Sequence, residues 1–277
     1  MDFKKILKIS RPRFWLYLAG PFLLGYFYGL QNIADISWQF VYTLFFFLVP
    51  ANIYLYGIND YADRDTDAFN KKKSQKEHRL QNKETKSLMM WLAVSLLFLI
   101  PIIFWSTTGG IIILAIWLAL STMYSMPPRF KAIPFIDFMS NILYVMPGFY
   151  AYFELTGSHP SPLIIIASFL WVWAMHLYSA IPDIKADKKA NLKTAATVMG
   201  SKLSIWLCTL FWFIFAVIVS FKAFPLGLIT LIYPALGIYT ALNLKKIDNI
   251  YWYYPYVTGF IGFLGFVHAA LLLFGYL

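Results

Sequence analysis

Cysteine, histidine and acidic residues are all scarce in this sequence, and each scarcity removes a class of chemistry. The one cysteine, Cys208, lies within an apolar run, so no disulfide can form inside the chain and a cysteine-based metal site is excluded. No histidine falls within either of the two acidic clusters described below. Charged residues make up only 13% of 277 residues, against 60% hydrophobic and 20% aromatic, with mean hydropathy +0.63. No soluble domain of this length needs so much apolar surface, so the solvent of the fold is lipid. Low-complexity stretches and long linkers are also missing, which leaves a single integral membrane domain over 1–277.

What is present is a series of apolar runs near spanning length, about 20 residues each. They fall at roughly Phe14–Leu30, Trp38–Gly57, Leu88–Trp105, Gly109–Tyr124, Pro134–Leu155, Pro162–Ile181, Leu203–Phe221, Phe224–Leu242 and Tyr251–Tyr276. The expected fold is therefore all-α, a multi-pass bundle of about nine transmembrane helices around a central cavity. The basic start, Met1 to Arg13, precedes an apolar stretch without a small-residue cleavage site, and reads as a retained first span. With the N-terminus inside, every lysine and arginine except Lys222 falls in a cytoplasmic segment. That segregation predicts nine spans with the C-terminus outside. It also assigns the net charge of +10 to membrane orientation rather than to nucleic acid. Two four-span halves, about 14–131 and 134–246, followed by a last helix over 251–276, are the expected organisation.

Two acid ladders stand out at the ends of apolar runs. In Asn59-Asp60-Tyr61-Ala62-Asp63-Arg64-Asp65-Thr66-Asp67, residues Asn59, Asp63 and Asp67 share one helical face. Asp183, Asp187 and Asn191 repeat the four-residue steps downstream. The ladders follow the second and sixth spans, and four crossings return the chain to the same, cytoplasmic, face. Two carboxylates ~4 Å apart at an effective dielectric of ~20 repel by about 4 kcal/mol, so protonation, cations or a divalent metal must relieve them. Oxygen-only donors match Mg2+, which takes one or two carboxylates plus substrate phosphates.

A third cluster, Tyr124-Ser125-Met126-Pro127-Pro128-Arg129-Phe130-Lys131, closes the fourth span. Its prolines end the helix and aim Arg129 and Lys131 from the membrane edge. Alone it reads equally well as interfacial anchoring; on the face that carries both ladders it reads as part of a polyanion site. Diphosphate fits this best, with Mg2+ bridging carboxylate and phosphate oxygens and Arg13, Arg64, Arg129, Lys131 and Lys193 neutralising the remainder. With a prenyl chain on the diphosphate, the apolar bundle takes the tail and a dry aromatic lining shields the allylic cation.

The ladder Asn59-x-x-x-Asp63-x-x-x-Asp67, with Arg64 after the middle Asp, and the later Asp183-x-x-x-Asp187 resemble the signature motifs of the UbiA superfamily of intramembrane prenyltransferases. The resemblance extends over nearly the whole chain. It implies Mg2+-dependent ionisation of a prenyl diphosphate, with Asn59, Asp63, Asp67, Asp183 and Asp187 as metal ligands and transfer to a hydrophobic acceptor in the membrane lipid. The family's Tyr and basic residues after the fourth span correspond to Tyr124, Arg129 and Lys131. The family motif has Gly where this chain has Asn191. Three strings, 10–21, 56–61 and 176–183, are similar to the lycopene elongase/hydratase branch, which implies dimethylallyl transfer to the ends of lycopene, in some members with addition of water. Branches acting on quinone head groups, chlorophyllide or glycerol-phosphate lipids share most of this chemistry.

Asp137, about one turn into the fifth span, reads either as an orienting or proton-accepting group of the site or as a helix cap. His176 reads as a hydrogen-bonded core residue, while Glu154 and His268 lie toward the opposite face. Lys71, Lys72 and Lys73 read as a headgroup-facing run, within a segment 70–86 that could cap the cavity. The rival from another class is a transporter of cations or phosphate-bearing solutes, which would carry its acids at mid-membrane rather than at one mouth.

Overall fold

The computed structural model describes residues 2–64 and 80–276. Asp67, Lys71, Lys72, Lys73 and most of the segment read as a cap lie outside the described residues. Helix is the only regular structure among the described residues, and no strand occurs there. Lipid explains this, because a helix satisfies its own backbone groups where no water is available to do so. Among the described residues, five helical segments are long and apolar enough to cross a membrane: Trp38–Ala62, Asn82–Trp105, Pro162–Ala180, Ala195–Lys222 and Leu244–Leu273. Thr108–Met123 and Leu226–Leu242 are apolar and shorter.

Several apolar runs that read as single spans are built from pieces. Pro50 splits the second run into Trp38–Leu48 and Pro50–Ala62, because proline removes a donor and clashes with the preceding turn. The buried Asn52 amide donates to Phe47 O at 2.8 Å and Leu48 O at 3.0 Å, taking over carbonyls at the break. The expected span Pro134–Leu155 is instead a short helix Ile136–Met139, a 3-10 stretch Ser140–Tyr144 and a helix Met146–Thr156. Hydropathy is blind to this division because every piece is equally apolar. Gly200, at φ 76°, breaks the helical segment Ala195–Lys222 near its start.

The chain divides into two compact units, Met1–Phe130 with Met146–Gly157, and Lys131–Val145 with Ser158–Leu277. In the first, the helix Phe3–Ile9 buries Ile6 and Ile9 against Ile53, Tyr54, Ile58, Leu88 and Leu92. The helix Leu16–Gly29 lies directly on Met146–Thr156, with Gly25 against the Gly148 backbone. Small residues at such a crossing let backbones approach where lipid supplies no hydrophobic drive. Glu154 caps the helix Thr108–Met123, accepting from Thr107 N–H at 3.0 Å and Thr107 Oγ1 at 2.9 Å.

The second unit is built on the fully buried rings of Tyr178, Trp212, Tyr233 and Tyr254. Tyr178 and Trp212 lie 5.2 Å apart, Trp212 and Tyr233 5.7 Å, and Trp212 and Tyr254 5.6 Å. Tyr178 OH and Thr240 Oγ1 are hydrogen-bonded at 3.0 Å, so this phenol is satisfied inside the apolar core.

Candidate functional site

In the first unit the apolar helix Pro50–Ala62 ends at the first ladder, with Asp63 as its C-cap. Asp63 N–H donates to Asn59 O at 3.0 Å, so the two ladder residues are one helical turn apart, as their spacing predicts. Partners for both come from the chain that follows the helix Thr108–Met123. Ser125 Oγ donates to Asn59 Oδ1 at 2.9 Å, and Arg129 Nη2 donates to Asp63 Oδ1 at 3.0 Å. Tyr54 OH meets Thr122 Oγ1 at 2.8 Å one turn deeper, fixing the register of the two helices. Arg129 holds a left-handed conformation, φ 63°, just after the cis Pro127–Pro128 bond. A non-glycine residue there is disfavoured and persists only where its surroundings hold it. Tyr124 is the C-cap residue of the helix Thr108–Met123.

The remaining cations of this unit take different places. Arg64 Nη1 reaches Thr85 Oγ1 at 3.4 Å. The Arg13 guanidinium stacks on the Phe14 ring at 4.4 Å. Asp60, the acidic residue inside the first ladder string, pairs with Arg11 at 3.0 Å. Sequence reasoning missed Ser125, Asp60 and Arg11 as parts of this arrangement. The signal for Ser125 was its place beside Tyr124; nothing local points Arg11 at Asp60.

In the second unit Asp183 is the N-cap of the short helix Ile184–Lys189, and Asp187 N–H donates to Asp183 O at 2.9 Å. The second pair thus repeats the one-turn spacing of the first. Asn191 does not extend it: the helix stops at Lys189, and Asn191 is left-handed at φ 54°. Glycine and asparagine are the residues that tolerate this conformation most readily. The departure from the family motif is therefore conservative for the backbone. Leu192 N–H closes the turn on Asp187 O at 2.9 Å. Lys193 follows in this turn.

Lys131 and Asp137 lie in the second unit, and both are buried. Lys131 is thus not an exposed arm at the membrane edge, as its position after the prolines had implied. Asp137 Oδ2 accepts from Ala195 N–H at 2.8 Å, while its Oδ1 is buried without a hydrogen-bond partner among the described residues. This is a helix-capping contact from a distant element. Asp137→Ala is expected to cost about 1 kcal/mol of stability, the usual worth of a lost N-terminal cap. Asp137→Asn keeps an acceptor and should cost less. Thermal melts in detergent check the order, and an asparagine variant weaker than alanine would contradict it.

Among the described residues no three His, Cys, Asp or Glu side chains are grouped to hold a metal ion. The donor chemistry does fit Mg2+, because each ladder offers oxygen ligands only and Mg2+ completes its shell with water and phosphate. Asn59 Oδ1 and Asp63 Oδ1 are here engaged by Ser125 and Arg129, a hydroxyl and a cation that occupy the acceptors.

Residues 18–255 match the model of the UbiA prenyltransferase family. The chain belongs to that family. It is an integral membrane enzyme that transfers prenyl groups. The prenyltransferase is 39% identical over 268 residues to the lycopene elongase/hydratase of Halobacterium salinarum, covering 94% of each chain. It is 36% identical to the protein of the same name from Haloarcula japonica, over 93% of this chain and 88% of the relative. A UbiA homolog from Archaeoglobus fulgidus, solved bound to GPP and Mg2+, superposes with a TM-score of 0.71 at 19% identity. The match covers 96% of this prenyltransferase and 99% of the solved chain, and establishes the same fold.

Proposed function

We propose that this prenyltransferase moves a dimethylallyl group from dimethylallyl diphosphate to lycopene, with Mg2+ as cofactor. The observation that carries the reading is the Asn59–Asp63 turn meeting Ser125 and Arg129 at the end of an apolar helix. There an anionic leaving group would find cation and metal ligands next to lipid-soluble surroundings. The acceptor follows from the relatives named lycopene elongase/hydratase at 36–39% identity over more than nine-tenths of the chain. Nine spans, with the N-terminus and the ladders cytoplasmic and the C-terminus outside, follow from the distribution of lysine and arginine.

The chemistry is ionisation of the allylic C–O bond, in which both electrons leave with the diphosphate. Arg13, Arg64, Arg129, Lys131 and Lys193 bind the diphosphate oxygens, and Tyr124 donates a hydrogen bond to them. These charges act more strongly on the departing group than on the bound ester, which is how they lower the barrier. Asn59, Asp63, Asp67, Asp183 and Asp187 are the residues that would hold Mg2+, which when bound supplies further positive charge to the leaving group. Arg129 exchanges its Asp63 carboxylate for a phosphate oxygen when donor arrives. Asp137 contributes by orienting the segment that carries Lys193, through the Ala195 N–H it accepts.

Expression in a lycopene-producing host tests the assignment. Mass spectrometry of the pigments should show lycopene gaining one or two five-carbon units. An unchanged carotenoid pool from a folded, membrane-inserted enzyme would remove lycopene as acceptor.

A further inference from the structure

Arg11 lies before the residues that match the family model, and the reaction described above does not use it. Its guanidinium is nevertheless among the most constrained in the first unit. Nη2 donates to Asp60 Oδ1 at 3.0 Å, and the group lies over the Tyr56 ring at 4.7 Å. Asp60 is only 2% exposed, and the Arg11 side chain 16%. The Arg11 backbone is left-handed, φ 51°, a conformation that a non-glycine residue keeps only when its surroundings impose it.

Those surroundings form a strap. The helix Phe3–Ile9 is seated by the buried Ile6 and Ile9 on the flank of Pro50–Ala62. At one end Lys5 Nζ bonds Glu84 Oε1 at 2.7 Å. At the other, Trp15 Nε1 donates to Ser10 Oγ at 3.0 Å, and Ser10 is fully buried. Arg11 projects from this anchored segment onto Asp60.

Asp60 sits between the ladder residues, one position after Asn59 and three before Asp63. It lies in the last turn of its helix, where the carbonyl ends already concentrate negative potential and a carboxylate is disfavoured. Without a cation at Asp60 that turn has reason to fray, and Asn59 and Asp63 would lose their fixed one-turn relation. Arg129 also brings positive charge, but its side chain is 36% exposed and bonds Asp63 itself, so it is available to leave for substrate. Arg11 is the less exposed of the two arginines, at 16%, and its partner Asp60 is buried.

We propose that Arg11 is a positioning residue for the prenyl transfer reaction, holding the last turn of the first ladder through Asp60 rather than touching the diphosphate. The inference rests on the assignment of Asn59 and Asp63 to the metal and diphosphate site. It makes Arg11, which reads in the sequence as orientation charge, a working part of the enzyme.

The test compares Arg11→Ala, Arg11→Lys, Asp60→Ala and the double alanine variant in the full-length enzyme, with Asp63→Ala as control. Kinetics use dimethylallyl diphosphate and lycopene, and hydrogen–deuterium exchange of the substrate-free protein follows the peptide over 55–64. Arg11→Ala should lower kcat roughly tenfold with KM for the diphosphate changed less than about twofold, the pattern of lost orientation rather than lost ground-state binding. Exchange in 55–64 should rise severalfold while peptides of the second unit are unchanged. Arg11→Lys should restore most of both, and the double variant should be no slower than Asp60→Ala. A raised KM with unchanged kcat, additive losses in the double variant, or unaltered exchange would each overturn the inference. If Arg11→Ala unfolds, Arg11→Lys and Asp60→Ala carry the same comparison through exchange. An active Asp63→Ala control would instead strike down the site assignment.

Discussion

Asp63→Ala is expected to lower the rate of prenyl transfer by on the order of 10²-fold or more, and Asp187→Ala to do the same. Asp63 ends the helix Pro50–Ala62 with its side chain 15% exposed and its carboxylate paired to an Arg129 side chain that is 36% exposed. An ion pair as accessible as this contributes at most about 1 kcal/mol to stability, so the variant should stay folded. Its loss is expected to fall on the reaction, because in the proposed site the carboxylate acts where charge develops on the leaving diphosphate. Asp187 sits one turn from Asp183 on a short polar helix and is likewise outside the buried core. Single-turnover release of diphosphate from dimethylallyl diphosphate, in the presence of lycopene and Mg2+, is the direct measurement. A wild-type rate in either variant would remove that carboxylate from the site.

Gly25→Val is the substitution expected to cost most stability, about 3 kcal/mol, near the upper end of ordinary overpacking. A Cβ on Gly25 would run into the carbonyl of Gly148, and one on Gly148 would lie 2.6 Å from Pro21 O. Both obstacles are backbone, so no side chain can swing aside to relieve the clash. The helix Met146–Thr156 must therefore move away from Leu16–Gly29, losing van der Waals contacts that lipid does not replace. A methyl group on Gly20, in the same helix, would meet nothing within 4 Å. Gly20→Ala is accordingly expected to be neutral or slightly stabilising, through helix propensity alone. Thermal unfolding of the two variants in one detergent provides the contrast. Equal melting temperatures would show that the close approach of the two glycines carries no energetic weight.

The one-turn relation of Asn59 to Asp63, and of Asp183 to Asp187, was legible because a helical turn is made by residues four apart. The same reasoning overreached at Asn191, where the helix ends at Lys189 and a left-handed residue turns the chain. Hydropathy located the apolar segments and missed their internal breaks, as the division of Pro134–Leu155 shows. Proline at position 50 is the local cause of one such break, which the run Trp38–Gly57 read straight through. The carbonyls that Asn52 takes over there could be identified only from the folded chain.

By itself the sequence determined the solvent, the helical class and the acid spacing, since apolar content and local periodicity act over a few residues at a time. Tertiary structure alone decided which donor meets which carboxylate: Arg129 and Asp63 are 66 positions apart, Arg11 and Asp60 49, and the Ala195 backbone N–H and Asp137 58. Such partners are chosen when distant segments pack, because many cations would satisfy a carboxylate equally well in charge and only the folded backbone brings one of them within 3 Å.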